Sequence, residues 1–292
     1  MDSSFALGEL DPLVARALSN IASGKYAEAD KVSEEIAAKN GGVGCVVKGM
    51  TLIGRYDDLG DTAAIQKATL LLSRCRSEGF WDALRIFELG YSQSEQGHSL
   101  KGAMNTRSAA KIFKDSDDMD AKAFYAIYAY YMEGAFSWVP FVSDNRPEHL
   151  KALAAGAASS KLFWPLFTTS LAWMHYDRGE FAEALLLTES ALSRVPGHPV
   201  FLQIKADMLY RLGRYSEAAE IYEESAKDYL KRTGKSIRYW CAAANLVRIY
   251  ADKGDAQAQA SWQKTLKTEE FEAIRGWMPG SLMDDLKKRK LL

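Results

Sequence analysis

The chain of 292 residues is poor in proline, cysteine, histidine and net charge, and each shortage removes a class of protein. Seven prolines and no polar low-complexity tract argue against long disordered segments. With 37 Lys+Arg against 38 Asp+Glu the formal net charge is −1, so nothing global draws the chain to nucleic acid or to an anionic membrane. The one basic cluster, Lys287-Lys288-Arg289-Lys290, follows Asp284-Asp285 and reads as a solvated last helical turn, where cations meet the negative end of the helix dipole. A localisation signal or a contact for an acidic partner is its alternative reading. No apolar run approaches the ~18 residues that would span a bilayer.

Three cysteines, Cys45, Cys75 and Cys241, are far apart and odd in number. They suggest neither a disulfide framework nor a zinc site, and their apolar surroundings read as those of small buried hydrophobes. The start, Met1-Asp2-Ser3-Ser4-Phe5, has no basic segment followed by an apolar one. The chain as written is therefore expected in the cytoplasm, or in the periplasm or outside the cell if a leader has been removed.

Reaction machinery is missing as well. The four histidines, His98, His149, His175 and His198, are scattered. There is no His-Glu-x-x-His, Gly-x-Ser-x-Gly or Cys-x-x-Cys, and no Gly-Lys-Ser/Thr follows the glycines Gly41, Gly42 and Gly44, which read as a turn. The run Asp115-Ser116-Asp117-Asp118-Met119-Asp120 lacks the glycine and glutamate of a calcium loop, having Asp120 and Ala126 in their places, so it reads as a connection with a helix cap. His175, beside Trp173 and Tyr176, reads as a packed or rim histidine. No enzyme, no cofactor and no metal are expected.

What is present is a repeat. Gly24-Lys25-Tyr26-Ala27-Glu28-Ala29 is echoed by Gly179-Glu180-Phe181-Ala182-Glu183-Ala184 and by Gly213-Arg214-Tyr215-Ser216-Glu217-Ala218. The glycine suits the left-handed residue that ends a helix. The aromatic opens the next helix and folds back over the last one. The alanine lets two antiparallel helices cross closely. The glutamate lies in a first turn, where the macrodipole favours negative charge. Gly179 and Gly213 are 34 residues apart, a spacing that marks stacked helical hairpins.

With Leu202, Ala206, Leu209 and Tyr210 before Gly213, and Ala218, Ile221, Tyr222 and Ala226 after it, these segments resemble tetratricopeptide (TPR) repeats. Lys205 and Lys231 depart from that pattern, standing where a large apolar residue and a proline are usual. The resemblance implies an all-α, right-handed helical-hairpin solenoid of about seven hairpins. The stretch from about Phe136 to Leu266 also resembles TPR-39/Iml2-like proteins, which implies only a helical-repeat interaction protein.

The whole chain, 1–292, reads as one such solenoid. Residues 11–40 form a first hairpin. Residues 41–160 form irregular hairpins around an aromatic-rich helix. Residues 161–266 hold the regular repeats, and 267–292 form a C-terminal cap. Gly24 falls out of the 34-residue step, so the regular repeats flank a longer, irregular middle.

Stacked hairpins leave a concave groove lined by the first helix of each pair. Helical spacing points Trp173, Gln203, Asp207, Tyr210, Asn245 and Arg248 toward it. An aromatic, mixed-charge groove suits a protein partner, either an extended peptide or a helix. Chaperone-binding TPR domains clamp a C-terminal carboxylate, and Asp207 would repel one, so no such clamp is expected. Self-association is open. A second reading rests on Tyr125, Tyr128, Tyr131 and Trp138, which could wall a pocket for a small apolar or lipidic ligand. Core packing is the alternative for the same residues.

Overall fold

The computed structural model describes residues 10–135 and 144–292, and every regular element among them is helical. Fourteen helices follow one another two by two along the chain. The first four pairs are α1 (Asp11–Ala22) with α2 (Tyr26–Lys39), α3 (Gly41–Leu59) with α4 (Thr62–Arg74), α5 (Gly79–Glu95) with α6 (Ser99–Lys114), and α7 (Met119–Ala135) with α8 (Arg146–Ser159). They are followed by α9 (Trp164–Asp177) with α10 (Phe181–Arg194), α11 (Pro199–Arg211) with α12 (Tyr215–Thr233), and α13 (Ile237–Lys253) with α14 (Ala256–Leu266). The C-terminal cap is α15 (Glu269–Ile274), a 3-10 turn at Arg275–Trp277, and α16 (Gly280–Lys288). No described helix is long and apolar enough to cross a membrane.

The three hexapeptides close their hairpins identically. Each glycine has a positive φ: 71° at Gly24, 77° at Gly179 and 75° at Gly213. The glycine N–H donates to the carbonyl three residues back, and the next N–H donates to the carbonyl five back. Examples are Gly213 to Tyr210 at 3.0 Å and Arg214 to Leu209 at 2.8 Å. This crossed pair satisfies carbonyls that the helix end would leave open. Ala29, Ala184 and Ala218 are fully buried at the crossings. The aromatics fold back, with Tyr176 and Phe181 edge to face at 5.2 Å and Tyr210 and Tyr215 at 5.7 Å. Lys205, unusual for a repeat, pairs with Glu189 at 3.0 Å. Where the next glycine comes late, at Gly254, both intervening helices are longer. α12 has 19 residues against 14 in α10, and α13 has 17 against 13 in α11.

The glycines at 41, 42 and 44 are not a turn. They open α3, whose first turn is capped by the Asn40 side chain accepting from the Val43 N–H at 3.0 Å. A Cβ on Gly44 would lie 2.5 Å from Ala37, so the missing side chain lets α2 and α3 meet backbone to backbone. Asp118 behaves as expected, capping α7 through the Ala121 N–H at 3.0 Å.

The chain clusters into two compact units, residues 1–56 with 62–174, and residues 57–61 with 175–292. The first has an apolar core of Leu52, Ile53, Ile65, Leu72 and Leu89, and beside it Phe80, Trp81, Phe113, Phe124, Phe163 and Phe167 in mutual ring contact. In the second, Ile204, Leu209, Tyr222 and Leu246 are buried, and Phe271 of the cap packs on Trp240 with ring centroids 5.4 Å apart. Within this unit the carboxylate of Asp58, its side chain only 2% exposed, forms an ion pair with the Arg238 guanidinium, Oδ1 to Nε 2.8 Å.

The cysteine reading needs correction. Cys45 of α3 and Cys75, just past α4, are joined in a disulfide with their Cα atoms 6.3 Å apart. Counting by sequence treats the separation of 30 positions as distance, whereas the turn between α3 and α4 folds the segment back on itself. Cys241 does fit the apolar reading: it is free and buried, and burial pushes its thiol up to about 12. Reducing the disulfide, or replacing both cysteines by serine, is expected to lower stability by about 2–4 kcal/mol, measured by urea unfolding with and without reductant.

Candidate partner-binding groove

In the second unit the first helices of two successive hairpins, α11 and α13, lie side by side. Four of the six groove residues expected from the sequence meet there. The Arg248 guanidinium lies 4.0 Å over the Tyr210 ring, a cation–π contact across the helix pair. Its Nη2 donates to the Asn245 Oδ1 at 2.6 Å. Asn245, 5% exposed, donates in turn to the Cys241 carbonyl at 3.0 Å. The Arg248 Nε is buried without a hydrogen-bond partner. Asn245 thus has both ends of its amide occupied and serves to orient Arg248. Gln203 lies one turn before Asp207 on α11 and is half-buried.

Asp207 is also half-buried, and its Oδ1 accepts from the Tyr222 hydroxyl at 2.7 Å. Burial pushes its carboxyl up to about 6, although the Tyr222 hydrogen bond and the charges of Arg248 and Arg211 pull the other way. The Tyr210 phenol donates to Asp252 at 2.6 Å, and it is pushed up to about 12, first by burial and then by that carboxylate. Arg289 also pairs with Asp252.

Tyr222, Asp252 and Arg289 were absent from the sequence expectation. Tyr222 appears there only as an apolar repeat position. Asp252 carries no motif, and Arg289 was folded into the basic C-terminal cluster. A pattern of acids and cations one turn apart on successive first helices, Asp207 with Arg211 and Arg248 with Asp252, is the one sequence signal for the network.

The remaining expected residues lie in the first unit. Trp173 is half-buried on α9. Of the aromatic-rich helix α7, Phe124 is core, Tyr125 and Tyr128 are half-buried, and Tyr131 is 47% exposed. Tyr125 stands edge to face on His149 at 6.0 Å, and Tyr131 on Tyr130 at 5.4 Å. Trp138 lies outside the described residues. His175 of the second unit, which reads from sequence as a packed or rim histidine, is half-buried with its Nδ1 2.7 Å from Glu180. Burial would raise the Glu180 carboxyl, but the hydrogen bonds from His175 and Arg178 outweigh it and hold the group below its usual value.

No family model and no curated protein matches the chain. Solved structures do. A Rap protein complexed with Competence and Sporulation Factor aligns at 12% identity with a TM-score of 0.56, over 97% of this chain and 80% of that one. NprR in complex with its cognate peptide NprX aligns at 14% identity and a TM-score of 0.49, over 94% and 82%. The C-terminal part of a TPR repeat-containing protein from Cytophaga hutchinsonii aligns at 14% and 0.42, over 92% and 98%. The first of these likenesses, with the hairpin closures described above, establishes an all-α, TPR-like helical-repeat fold.

The strained ionisation of Asp207 is measurable. Its folded-state value of about 6 lies above the usual carboxylate range, so between about pH 4 and 6 the folded state holds the extra proton and stability falls as pH rises. His198, depressed to about 4 mainly by burial and then by the Arg238 charge, adds a slope of opposite sign between about 4 and 6.5. Comparison with Asp207→Asn isolates the first effect. The variant keeps an acceptor for Tyr222 and is expected to be about 1–2 kcal/mol more stable than the parent at pH 8, with no gain at pH 4, by denaturant unfolding at both pH values.

Proposed function

We propose that this protein is a non-catalytic interaction scaffold, and that the paired faces of α11 and α13 take an extended peptide or a partner helix. The observation that carries the reading is Arg248. It is stacked on Tyr210, oriented by Asn245, and has a buried Nε that no protein group uses. A guanidinium fixed in this way has lost its conformational freedom before any partner arrives, which lowers the entropic cost of binding. Arginine and tyrosine are also the residue types that dominate binding hot spots. Asp207 beside it makes the face mixed in charge, and suits a partner bearing both an acceptor for Arg248 and a donor for Asp207. It speaks against a carboxylate-terminated tail. Gln203 and, on its own unit, Trp173 extend the proposed contact set.

The Rap protein of similar fold was solved in complex with Competence and Sporulation Factor, so an assembly of this type can hold a second molecule. For the aromatic helix α7 the filled ring cluster around Phe124 favours core packing over a ligand pocket.

The test is affinity capture from the native source with the parent chain, an Asp207→Lys, Arg248→Glu double variant, and the milder Arg248→Gln. Melting curves establish that each is folded. The captured partner is expected to be lost with the double variant and to bind about tenfold more weakly, or less, to Arg248→Gln. An unchanged partner set with folded variants rules out this face.

A further inference from the structure

The second helices of the hairpins carry charge very unevenly. In the second unit some cations are paired locally, whereas Lys227 and Lys231 of α12 form no ion pair among the described residues. Arg214, just before α12, pairs with Glu217 at 2.6 Å, Arg232 of α12 pairs with Asp228 at 2.5 Å, and Lys205 of the first helix α11 reaches Glu189 of α10 at 3.0 Å. In the first unit, α4 and α6 contain six cations between them and not one acid. These are Lys67 and Arg74 on α4, and Lys101, Arg107, Lys111 and Lys114 on α6. All six are exposed, and none forms an ion pair among the described residues. Only Lys114 is engaged, over the Tyr125 ring at 5.8 Å. In a chain of net charge −1 this is a concentrated field.

The same face of α6 is apolar where it is not basic. Leu100 is 80% exposed, Met104 63% and Ile112 42%. Met104 follows Leu100 by one turn, and Ile112 lies two turns beyond Met104. The helix has 16 residues, so the mixed face is about 24 Å long. Leaving large side chains this open loses the free energy of burying them, about 1.5–3 kcal/mol apiece when burial is complete.

The arrangement discriminates between occupants. A helix lying in a bilayer surface keeps its apolar stripe unbroken and its cations at the edges. Here, at about 100° per residue, Lys111 falls on the same line as Leu100 and Met104, in the middle of the face. A polyanion such as nucleic acid would answer the cations and leave Leu100 in water. Carboxylates interspersed with apolar side chains answer both. We infer that the exposed face of α6 is a docking surface for an acidic amphipathic helix of a partner protein. This site is separate from the α11–α13 face and does not depend on it.

The test uses the full chain and a fluorescein-labelled synthetic helix of leucine and glutamate, read by fluorescence anisotropy at low salt. The same peptide with lysine for glutamate, polyglutamate of equal charge, and phosphatidylglycerol vesicles are the comparisons. The acidic helix is expected to bind and the basic one not. A Lys101→Glu, Arg107→Glu, Lys111→Glu variant is expected to weaken binding by about tenfold or more, and Leu100→Ser, Met104→Ser by about fivefold, since the altered residues are exposed and the fold is kept. Melting curves check that both variants are folded. Affinity for the acidic helix unchanged in the two folded variants would overturn the proposal. So would equal binding of polyglutamate, or binding of the vesicles without the acidic helix. Salt-sensitive self-association in sedimentation, abolished by the triple variant, would assign the face to a second copy of the chain instead.

Discussion

The structure depends on one backbone constraint, the reversal of chain direction through a left-handed glycine. At Gly24, Gly97, Gly179, Gly213 and Gly254 the same crossed pair of hydrogen bonds ends one helix and releases the chain antiparallel to it. An L-side chain at that φ is strained, so the position is reserved for glycine. A buried alanine follows the glycine by five residues at three of these closures and sets how near the two helices come. Repeated along the chain, this closure alternates first and second helices. It thereby sets first helices side by side, as Tyr210 of α11 and Arg248 of α13 show. The proposed binding face is a consequence of the hairpin closure before it is a matter of particular side chains.

On that frame, polar groups are divided by task. Buried Asn245 and exposed Asp252 spend their hydrogen bonds holding Arg248, Tyr210 and Arg289. Asp207 is held at a carboxylate value of about 6 because burial outweighs a tyrosine hydrogen bond and two nearby arginines. Such a group lowers stability when ionised, and natural chains keep such costs mainly where a site has a use for them. The unpaired cations of α6 are the surface counterpart. Apart from Lys114 over the Tyr125 ring they engage no neighbour among the described residues, and a charge-paired alternative is used elsewhere in the same fold.

The hairpins were legible because their signals are local. The Gly-x-aromatic-x-x-Ala string, the 34-residue step and the apolar spacing each act within one or two helices. About seven hairpins follow from them, and the structure has fourteen helices in succession before the C-terminal cap. What escaped the sequence was decided between elements. Gly41, Gly42 and Gly44 are turn residues by composition, yet in the fold they make room for close helix contact. Cys45 and Cys75 are distant until the turn between α3 and α4 brings them together. Asp207, Tyr210, Asn245 and Arg248 were expected on one face from spacing, but Tyr222 reaches Asp207 from α12, and Asp252 of α13 joins Tyr210 of α11 to Arg289 beyond α16.

The central claim is that α11 and α13 together receive a partner. Hydrogen–deuterium exchange on the full chain, with and without a partner captured from its native source, tests it directly. The account expects new protection in Pro199–Arg211 and Ile237–Lys253, strongest around Tyr210 and Arg248. Exchange in those two helices that is the same with and without bound partner would contradict it.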